Sequence, residues 1–310
     1  MSFARTVKEE LVTLPVETDE QLAEFAAFLN LSSEFHIENR KKMLDFTTNN
    51  PTVAKRFLRL VRTLYQAETT IITKKQVKLK QRQTIIIRLS TKVEDIINEH
   101  ALLENPIESQ DIFTQTDDQK KAYLRAAFLA RGSVNHPKTA EYHLEIFSTD
   151  PDQIVFIQQL MNYFDLNARI IERRKGYIAY LKGAESISDF IQLSGAQNAV
   201  FEFEDLRIKR DFNNSINRVI NCEIANEKKT IEAAYQQIRD IELIESYYVD
   251  INERIRQVIE LRKAYPDASL RELVERFEET YGESISRSGL NHRLFKIREI
   301  ARSIREEQNR

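Results

Sequence analysis

One segment near the C-terminus carries side chains suited to contacting DNA. Between residues 285 and 298 the sequence holds four Lys or Arg residues and no Asp or Glu. Arg and Asn can make bidentate contacts to base edges in a major groove, while Lys and Ser can reach phosphates. We therefore predict a DNA-contacting surface made of Arg287, Ser288, Asn291, His292, Arg293 and Lys296.

These residues fall on a predicted helix with one apolar side. At about 100° per residue, Leu290, Leu294 and Ile297 form one narrow stripe. Ser288 and Lys296 then point almost the opposite way. The apolar stripe is expected to face a core, which leaves the basic side free to contact a partner.

Two further predicted helices precede this one and complete a three-helix pattern. The first covers about residues 251–264, and the second starts at Ser269, where Ser269 and Glu272 form a capping box. The pattern indicates a helix-turn-helix that places its last helix in a major groove. A small three-helix core with a solvated basic face is the alternative. Three acidic residues in or near a rather long turn weaken the DNA interpretation: Glu278, Glu279 and Glu283.

Other residues with reactive side chains form no recognisable site. His136 and His143 could face each other across a hairpin, but they lack a third metal ligand. Cys222 lies in a helical stretch of apolar and polar residues and is predicted to be a small core residue. It is not expected to be a nucleophile, because no His lies within twenty residues of it. No Gly-rich phosphate loop is present. We therefore expect no metal, no cofactor and no small-molecule substrate.

Composition restricts the class of protein. The net charge is −2, so a nucleic-acid site requires a local concentration of Lys and Arg. A single Cys excludes an internal disulfide and favours a reducing compartment. The acidic N-terminus does not resemble a signal peptide, and no apolar run is long enough to span a membrane. We expect a cytoplasmic, nucleoid-associated protein without membrane contact.

The first two hundred residues repeat one αβ unit with an offset of one hundred positions. Asn50-Pro51 and Asp150-Pro151 each open an apolar helix after a strand, and Phe28-Leu29 matches Phe128-Leu129. Asn or Asp followed by Pro is a helix-start signal. An internal duplication of this length predicts two copies packed about a pseudo-two-fold axis.

The segment Ala126-Ala127-Phe128-Leu129-Ala130-Arg131-Gly132-Ser133-Val134 resembles the signature helix end of the LAGLIDADG homing endonucleases. That resemblance implies two αββαββ copies with two central helices and sheets forming a saddle over DNA. In active members an acid before the signature glycine binds the divalent metal that activates water. Here Arg131 precedes Gly132, and Leu31 occupies the same column of the first copy. Neither residue supplies an oxygen ligand for Mg²⁺, so we expect no enzyme activity.

On such a saddle, a second group of cations would face phosphates. The strand residues of this group are Lys74, Lys75, Lys78, Lys80, Arg82, Arg173 and Arg174. Arg210 and Arg218 could also contact DNA, from a linker helix around an Asn-rich stretch that contains Arg218. The alternative for the strand residues is an edge hairpin kept soluble by charge. For the stretch 213–226, a polar interdomain spacer is equally compatible with the composition.

The combination of an inactive duplication and a basic helix-turn-helix resembles the WhiA family. Three segments carry the resemblance: 125–135, 217–226 and 286–294. It implies a DNA-binding regulator of Gram-positive bacteria, linked to cell division, chromosome segregation and, in sporulating relatives, sporulation. The alternatives are a nucleoid-associated or protein-interaction factor in division and a residual metal-dependent endonuclease.

The predicted fold is α+β, with duplicated αββαββ units, mixed or antiparallel saddle sheets and an all-α C-terminal domain. The predicted parts are a first repeat, a second repeat, a helical linker and a helix-turn-helix domain, over residues 1–99, 100–204, 205–249 and 250–310. The expected partners are double-stranded DNA and transcription or division proteins.

Overall fold

A computed structural model describes residues 2–75, 83–102, 111–139 and 141–308, with Lys75 described by its backbone alone. The chain forms two compact units, Met1–Asp211 and Phe212–Arg310. Part of the predicted joint between the copies, 100–115, lies outside the described residues. No helix of the described ranges is both long and apolar enough to cross a membrane.

The first unit contains both copies of the repeat. Its first copy comprises α1 (Phe3–Leu11), α2 (Thr18–Ser32), β1 (Ser33–Glu38), β2 (Lys41–Thr48), α3 (Pro51–Leu64), β3 (Thr69–Lys75), β4 (Gln83–Leu89) and α4 (Val93–Glu99). Its second copy comprises α5 (Asp117–Arg131), β5 (Gly132–Val134), β6 (Leu144–Ser148), α6 (Pro151–Tyr163), β7 (Arg169–Arg173), β8 (Gly176–Leu181) and α7 (Ala184–Ser194).

The two copies form two sheets with the same strand order. The orders are β1-β2-β4-β3 and β5-β6-β8-β7, and every pairing between neighbouring strands is antiparallel. The duplication predicted from the sequence is therefore confirmed. Of the two predicted sheet types, the antiparallel one is right and the mixed one is wrong. Each repeat places its hairpin strands next to each other, which short connections allow only in the antiparallel sense.

The helix starts of the two copies use the same chemistry. Asn50 and Asp150 are N-caps whose side-chain oxygens accept hydrogen bonds from the Thr52 and Asp152 amides, at 2.9 and 3.0 Å. Proline follows at the first helical position in both copies, where a missing N–H costs nothing. These caps are the predicted ones.

The central helices α2 and α5 pack against each other and are buried on most sides. In the first copy, Phe46 of β2 stacks on Phe57 of α3 with ring centroids 4.0 Å apart, and Phe28 of α2 meets both rings edge-on. In the second copy, the equivalent positions hold Ile146 and Ile157, both fully buried. Aromatic and aliphatic residues thus fill the same core site in the two copies.

The second unit is all-helical. Its helices are α9 (Glu253–Ala264), α10 (Leu270–Tyr281) and α11 (Arg287–Gln308), and α8 (Gln197–Ser246) contributes its residues from 212 onward. The predicted linker boundary at residue 204 falls inside α8. The last turns of α8 place Ile241 and Ile244 in the core of the second unit. Cys222 of α8 is exposed, so the prediction of a core cysteine was wrong.

Candidate nucleic-acid interface

Helix α11 begins at a side-chain cap. The Ser286 hydroxyl accepts a hydrogen bond from the Gly289 amide at 3.0 Å, and the Ser286 carbonyl accepts one from the Leu290 amide at 2.9 Å. A Cβ at Gly289 would lie 3.2 Å from the Ser286 hydroxyl, which is tight. The local sequence therefore fixes where the helix starts and which side chains stand on its first turns.

The two faces of α11 differ as the periodicity predicts. Leu290, Leu294 and Ile297 are buried in the core of the second unit. Five predicted contact residues are exposed and have no hydrogen-bond or ion-pair partner within the described residues: Arg287, Ser288, Asn291, His292 and Lys296. Their polar groups are therefore available to an external partner.

Arg293 is placed differently from the other five predicted residues. Its guanidinium lies over the Phe277 ring, 5.3 Å from the centroid, and one Nη donates to the Arg254 carbonyl at 3.3 Å. The side chain is half-buried between α9 and α10. This position makes Arg293 part of the packing that holds α11, which the helical periodicity did not reveal.

Beside the exposed face of α11 lies a cleft of about 340 Å³. Arg287 and Asn291 line it from α11, Lys229 from α8 and Arg271 from α10, and buried Arg262 lines it from α9. We call this set of five residues the basic cleft. It brings four cationic side chains next to an amide that can read a base edge.

Arg262 is held rigidly in the cleft. It is 2% exposed, and one Nη donates to the Ala268 carbonyl at 2.6 Å and more weakly to the Tyr265 and Pro266 carbonyls. Its Nε has no partner within the part of the chain that the structure describes. Burial lowers the pKa of the guanidinium below its ordinary value, yet an arginine remains charged. The cleft therefore contains a fixed positive charge.

The N-terminus of α10 borders the same cleft. Ser269 and Glu272 form the predicted capping box, and hydrogen bonds from Ser269 lower the pKa of the Glu272 carboxyl. A helix N-terminus attracts anions through its amides and its dipole. Of the three acids near the turn, Glu279 is paired with Arg276 at 2.8 Å.

Lys229, Arg262 and Arg271 were not identified from the sequence. Arg271 lies inside the capping box, where the pattern drew attention to Ser269 and Glu272 only. Lys229 belongs to α8, which is part of the second unit but lies far from α11 in the sequence. Two of the three could have been identified from the sequence: Lys229 from the adjacent lysines 228 and 229, and Arg271 from the Ser-Leu-Arg-Glu sequence.

The secondary candidates for DNA contact are partly exposed and partly bonded within the protein. Lys74, Arg173 and Arg174 are exposed strand or turn residues, and Arg218 is exposed on α8. Arg210 instead donates to the Thr139 carbonyl at 2.7 Å and lies over the Tyr142 ring. The Lys75 side chain and all of Lys78, Lys80 and Arg82 lie outside the described residues.

The ends of the two central helices lack metal ligands. Leu31 is buried at the end of α2, and Arg131 at the end of α5 donates from Nε to the Leu31 carbonyl at 3.0 Å and to the Ser32 hydroxyl at 3.1 Å. A cation that crosses between the helix ends does not fit a divalent metal between them. A Cβ at Gly132 would lie 2.6 Å from the Phe128 carbonyl oxygen, which explains the glycine after Arg131.

No group of three or more His, Cys, Asp or Glu side chains suited to a metal occurs within the described ranges. His136 and His143 contact different side chains. His143 lies 2.9 Å from a Glu145 carboxylate oxygen, whereas His136 packs edge-on against Phe3. Each of the two rings therefore has its own side-chain contact.

Comparison with known proteins agrees with this organisation. Three family models match the chain: the WhiA N-terminal LAGLIDADG-like domain over residues 18–103, the WhiA LAGLIDADG-like domain over 120–213 and the WhiA C-terminal HTH domain over 216–301. A protein of Enterococcus faecalis named "Probable cell division protein WhiA" is 41% identical over 312 residues, covering 99% of both chains. The chain belongs to the WhiA family.

Further WhiA relatives show the same full-length match. A Staphylococcus epidermidis protein with the same name is 40% identical over 310 residues, covering 98% of both chains. The crystal structure of full-length DUF199/WhiA from Thermatoga maritima aligns with a TM-score of 0.60 and 25% identity, over 98% of this chain and 99% of that one. The WhiA fold therefore extends over the whole chain, including both LAGLIDADG-like copies and the helical C-terminal region.

Proposed function

We propose that this WhiA-family protein binds double-stranded DNA through the basic cleft and the exposed face of α11, and that it acts as a transcription regulator without cutting DNA. The observation that carries the proposal is the adjacency of Asn291 and Arg287 to three further cations in one cleft. Asn and Arg discriminate bases, and the surrounding charges neutralise phosphates. Few acids compete, because α11 has none before Glu299.

Within this proposal the six predicted residues take different roles. Arg287 and Asn291 read base edges, Ser288, His292 and Lys296 contact the backbone, and Arg293 positions α11 by packing on Phe277. Contacts from the helix start are expected, because the first turns of a recognition helix enter the major groove. The exposed strand cations and Arg218 remain candidates for additional backbone contacts.

The names of the relatives suggest which cellular process the protein regulates. Proteins about 40% identical over the full chain are named probable cell division proteins, so we propose that the regulated genes serve cell division. Chromosome segregation, sporulation in sporulating relatives, association with the nucleoid and contacts with transcription or division proteins are parts of the same proposal.

Genome-wide mapping of bound DNA, paired with transcript measurement, tests this function. The wild type should give sharp peaks near genes whose transcripts change on deletion of the protein. The double variant Arg287→Ala, Asn291→Ala should lose these peaks, while Arg302→Ala on the same helix should keep them, because Arg302 pairs with Glu306. Peaks that persist in the double variant would reject the assigned interface, and peaks without transcript changes would reject regulation in favour of a nucleoid-associated role.

A separate assay tests the absence of cleavage. Supercoiled plasmid incubated with the protein and Mg²⁺ or Mn²⁺ should remain intact, because Leu31 and Arg131 supply no metal-binding oxygen. Nicking that exceeds the level of an Arg131→Ala variant would contradict the proposal.

A further inference from the structure

A cavity of about 800 Å³ opens in the first unit beside the ends of the central helices. Residues of α1, the β2–α3 connection, the start of β4 and the α5–β5 junction line it. Pockets for small ligands usually have volumes of about 300–1,000 Å³. Nothing in the DNA-binding proposal uses this cavity, which belongs entirely to the duplicated domain.

Three cationic side chains from different elements line the cavity: Arg5 and Lys8 from α1, and Arg131 from α5. The described lining contains no Asp or Glu. Arg5 pairs outside the lining with Glu9 at 2.7 Å. The cavity therefore has an excess of positive charge that its own walls do not neutralise.

Lys8 and Arg131 are held in place by backbone carbonyls. Lys8 Nζ donates to the Leu129 carbonyl at 3.1 Å, and Arg131 Nε donates to the Leu31 carbonyl at 3.0 Å. Both carbonyls lie in last helical turns, whose oxygens lack helical partners. Carbonyls orient the two cations without cancelling their charge. The Nη groups of Arg131 have no partner within the described ranges, so they are free to donate.

Neutral hydrogen-bonding groups complete the wall. Thr47, Asn49, Gln83 and Ser133 line the cavity. Asn49 accepts a hydrogen bond from Thr84 through its oxygen at 3.0 Å, which leaves its amide nitrogen as a donor. A set of fixed cations and neutral donors, without carboxylates, suits an anion with several acceptor oxygens.

The Lys8 ammonium is largely removed from water. Burial lowers its pKa to about 8, because no carboxylate in the cavity compensates for the lost hydration. The side chain also lies over the Phe128 ring, 5.3 Å from the centroid. An anion bound beside Lys8 would favour the charged form.

We propose that this cavity binds the phosphate group of a small ligand through Lys8, Arg131 and Arg5. Guanidinium and ammonium groups here take the electrostatic place that a divalent cation takes in a phosphate-cleaving site, and they leave no metal to activate water. We take the ligand to be small, because the volume of the cavity lies within the range of small-ligand pockets. The inference is independent of DNA binding by the second unit.

Isothermal titration of the full chain at constant ionic strength tests the site. The probes are inorganic phosphate, pyrophosphate, adenosine 5′-monophosphate and unphosphorylated adenosine. The three phosphate-containing probes should bind and adenosine should not. Lys8→Gln and Arg131→Gln should each weaken binding by about tenfold or more, since a charge-assisted hydrogen bond is lost. Arg131→Lys should bind more tightly than Arg131→Gln but more weakly than the wild type, because it keeps the charge but has a single terminal nitrogen.

Arg62→Gln is the matched control, because it removes one exposed charge outside the lining. Thermal melting confirms that each variant is folded, and if Arg131→Gln fails to fold, Lys8→Gln and Arg131→Lys decide. Absence of binding by all phosphate probes, or equal binding by Lys8→Gln and wild type, overturns the proposal. The proposal is also overturned if Arg131→Gln weakens binding to duplex DNA but not to the phosphate probes. This comparison is made in the Arg287→Ala, Asn291→Ala background, in which the second unit is expected not to bind DNA.

Discussion

Two regions of the molecule are rich in cations, and they use them in opposite ways. In the duplicated domain, Lys8 and Arg131 donate to carbonyls at the ends of α5 and α2. In the C-terminal unit, Arg287, His292 and Lys296 are exposed, without partners in the described part of the chain. The first group is oriented by the fold, whereas the second is free to be oriented by a partner.

Helix polarity accounts for this difference. The last turn of a helix presents unpaired carbonyls and a partial negative charge, which attract and hold a cation. The first turns present amides and a partial positive charge, which add to nearby cations and attract an anion. Cations are therefore oriented by carbonyls at the ends of α2 and α5, and they are left to be oriented by a partner at the starts of α10 and α11.

The largest expected effect concerns the charges buried in the duplicated domain. Glu24 is fully buried, and its carboxylate accepts hydrogen bonds from Arg56 at 2.8 and 2.9 Å and from Arg125 at 2.8 Å. Glu24→Gln leaves two buried guanidinium groups without this anion. We expect the free energy of unfolding to fall by about 3–5 kcal/mol, measured by urea denaturation.

Glu9→Gln is the control for that variant. It removes the exposed ion pair with Arg5 on one helix, which should cost at most about 0.5 kcal/mol. If Glu24→Gln and Glu9→Gln destabilise the protein equally, Glu24 does not hold Arg56 and Arg125 more strongly than an exposed ion pair would. The contrast between cations held by the fold and exposed cations would then fail.

The next effect concerns a buried group that has no charge partner. His100 is 2% exposed, its Nε2 lies 2.8 Å from the Tyr65 hydroxyl, and burial lowers its pKa to about 4. The unfolded chain takes up this proton near pH 6.5, so the free energy of unfolding should fall as the pH drops from 6.5 to 4. A shift of this size corresponds to about 3 kcal/mol.

His100→Gln keeps a side chain that can hydrogen-bond to the Tyr65 hydroxyl and removes the titration. Urea denaturation at pH 7 and pH 4 should show a smaller loss of stability for the variant than for the wild type. An identical loss in both proteins would mean that His100 does not remain neutral in the interior.

The sequence predicted the architecture because the relevant signals are local or repeated. The caps at Asn50 and Asp150, the alternation in β2 and the period of α11 each depend on neighbours within a few residues. The duplication then predicted the same order of helices and strands in both copies. The expectation that Leu31 and Arg131 stand where active relatives have metal-binding acids came from the resemblance to the LAGLIDADG endonucleases, which aligned the two residues with that position.

Contacts between distant residues could not be predicted in this way. The salt bridge between Glu24 and Arg125 joins residues 101 positions apart. Arg293 was assigned to DNA because helical periodicity gives a direction but does not show that Phe277 and the Arg254 carbonyl lie within reach. Cys222 was placed in a core because its apolar neighbours suggested one, although α8 leaves it exposed.

A smaller effect is expected from removing one base-reading side chain of the second region. Asn291 lines the basic cleft without an internal partner in the described residues. Asn291→Ala should weaken binding to a duplex recovered by genome mapping by about 1–3 kcal/mol, and it should relax base preference at one position. Fluorescence anisotropy with a panel of single-base variants measures both. Ser303→Ala on the same helix is the control, and equal losses in the two variants would contradict the assignment.

The smallest effect separates charge from base recognition within the cleft. Arg271 stands at the start of α10 with its side chain 87% exposed, so its proposed phosphate contact should be lost in Arg271→Ala without loss of the fold. Binding should weaken about equally on all duplexes, and the slope of log affinity against log salt should decrease by about 0.9. Arg302→Ala, at the far end of α11, should leave the slope unchanged. If Arg271→Ala instead altered base preference at constant slope, Arg271 would read bases, and its assignment as a phosphate contact would not hold.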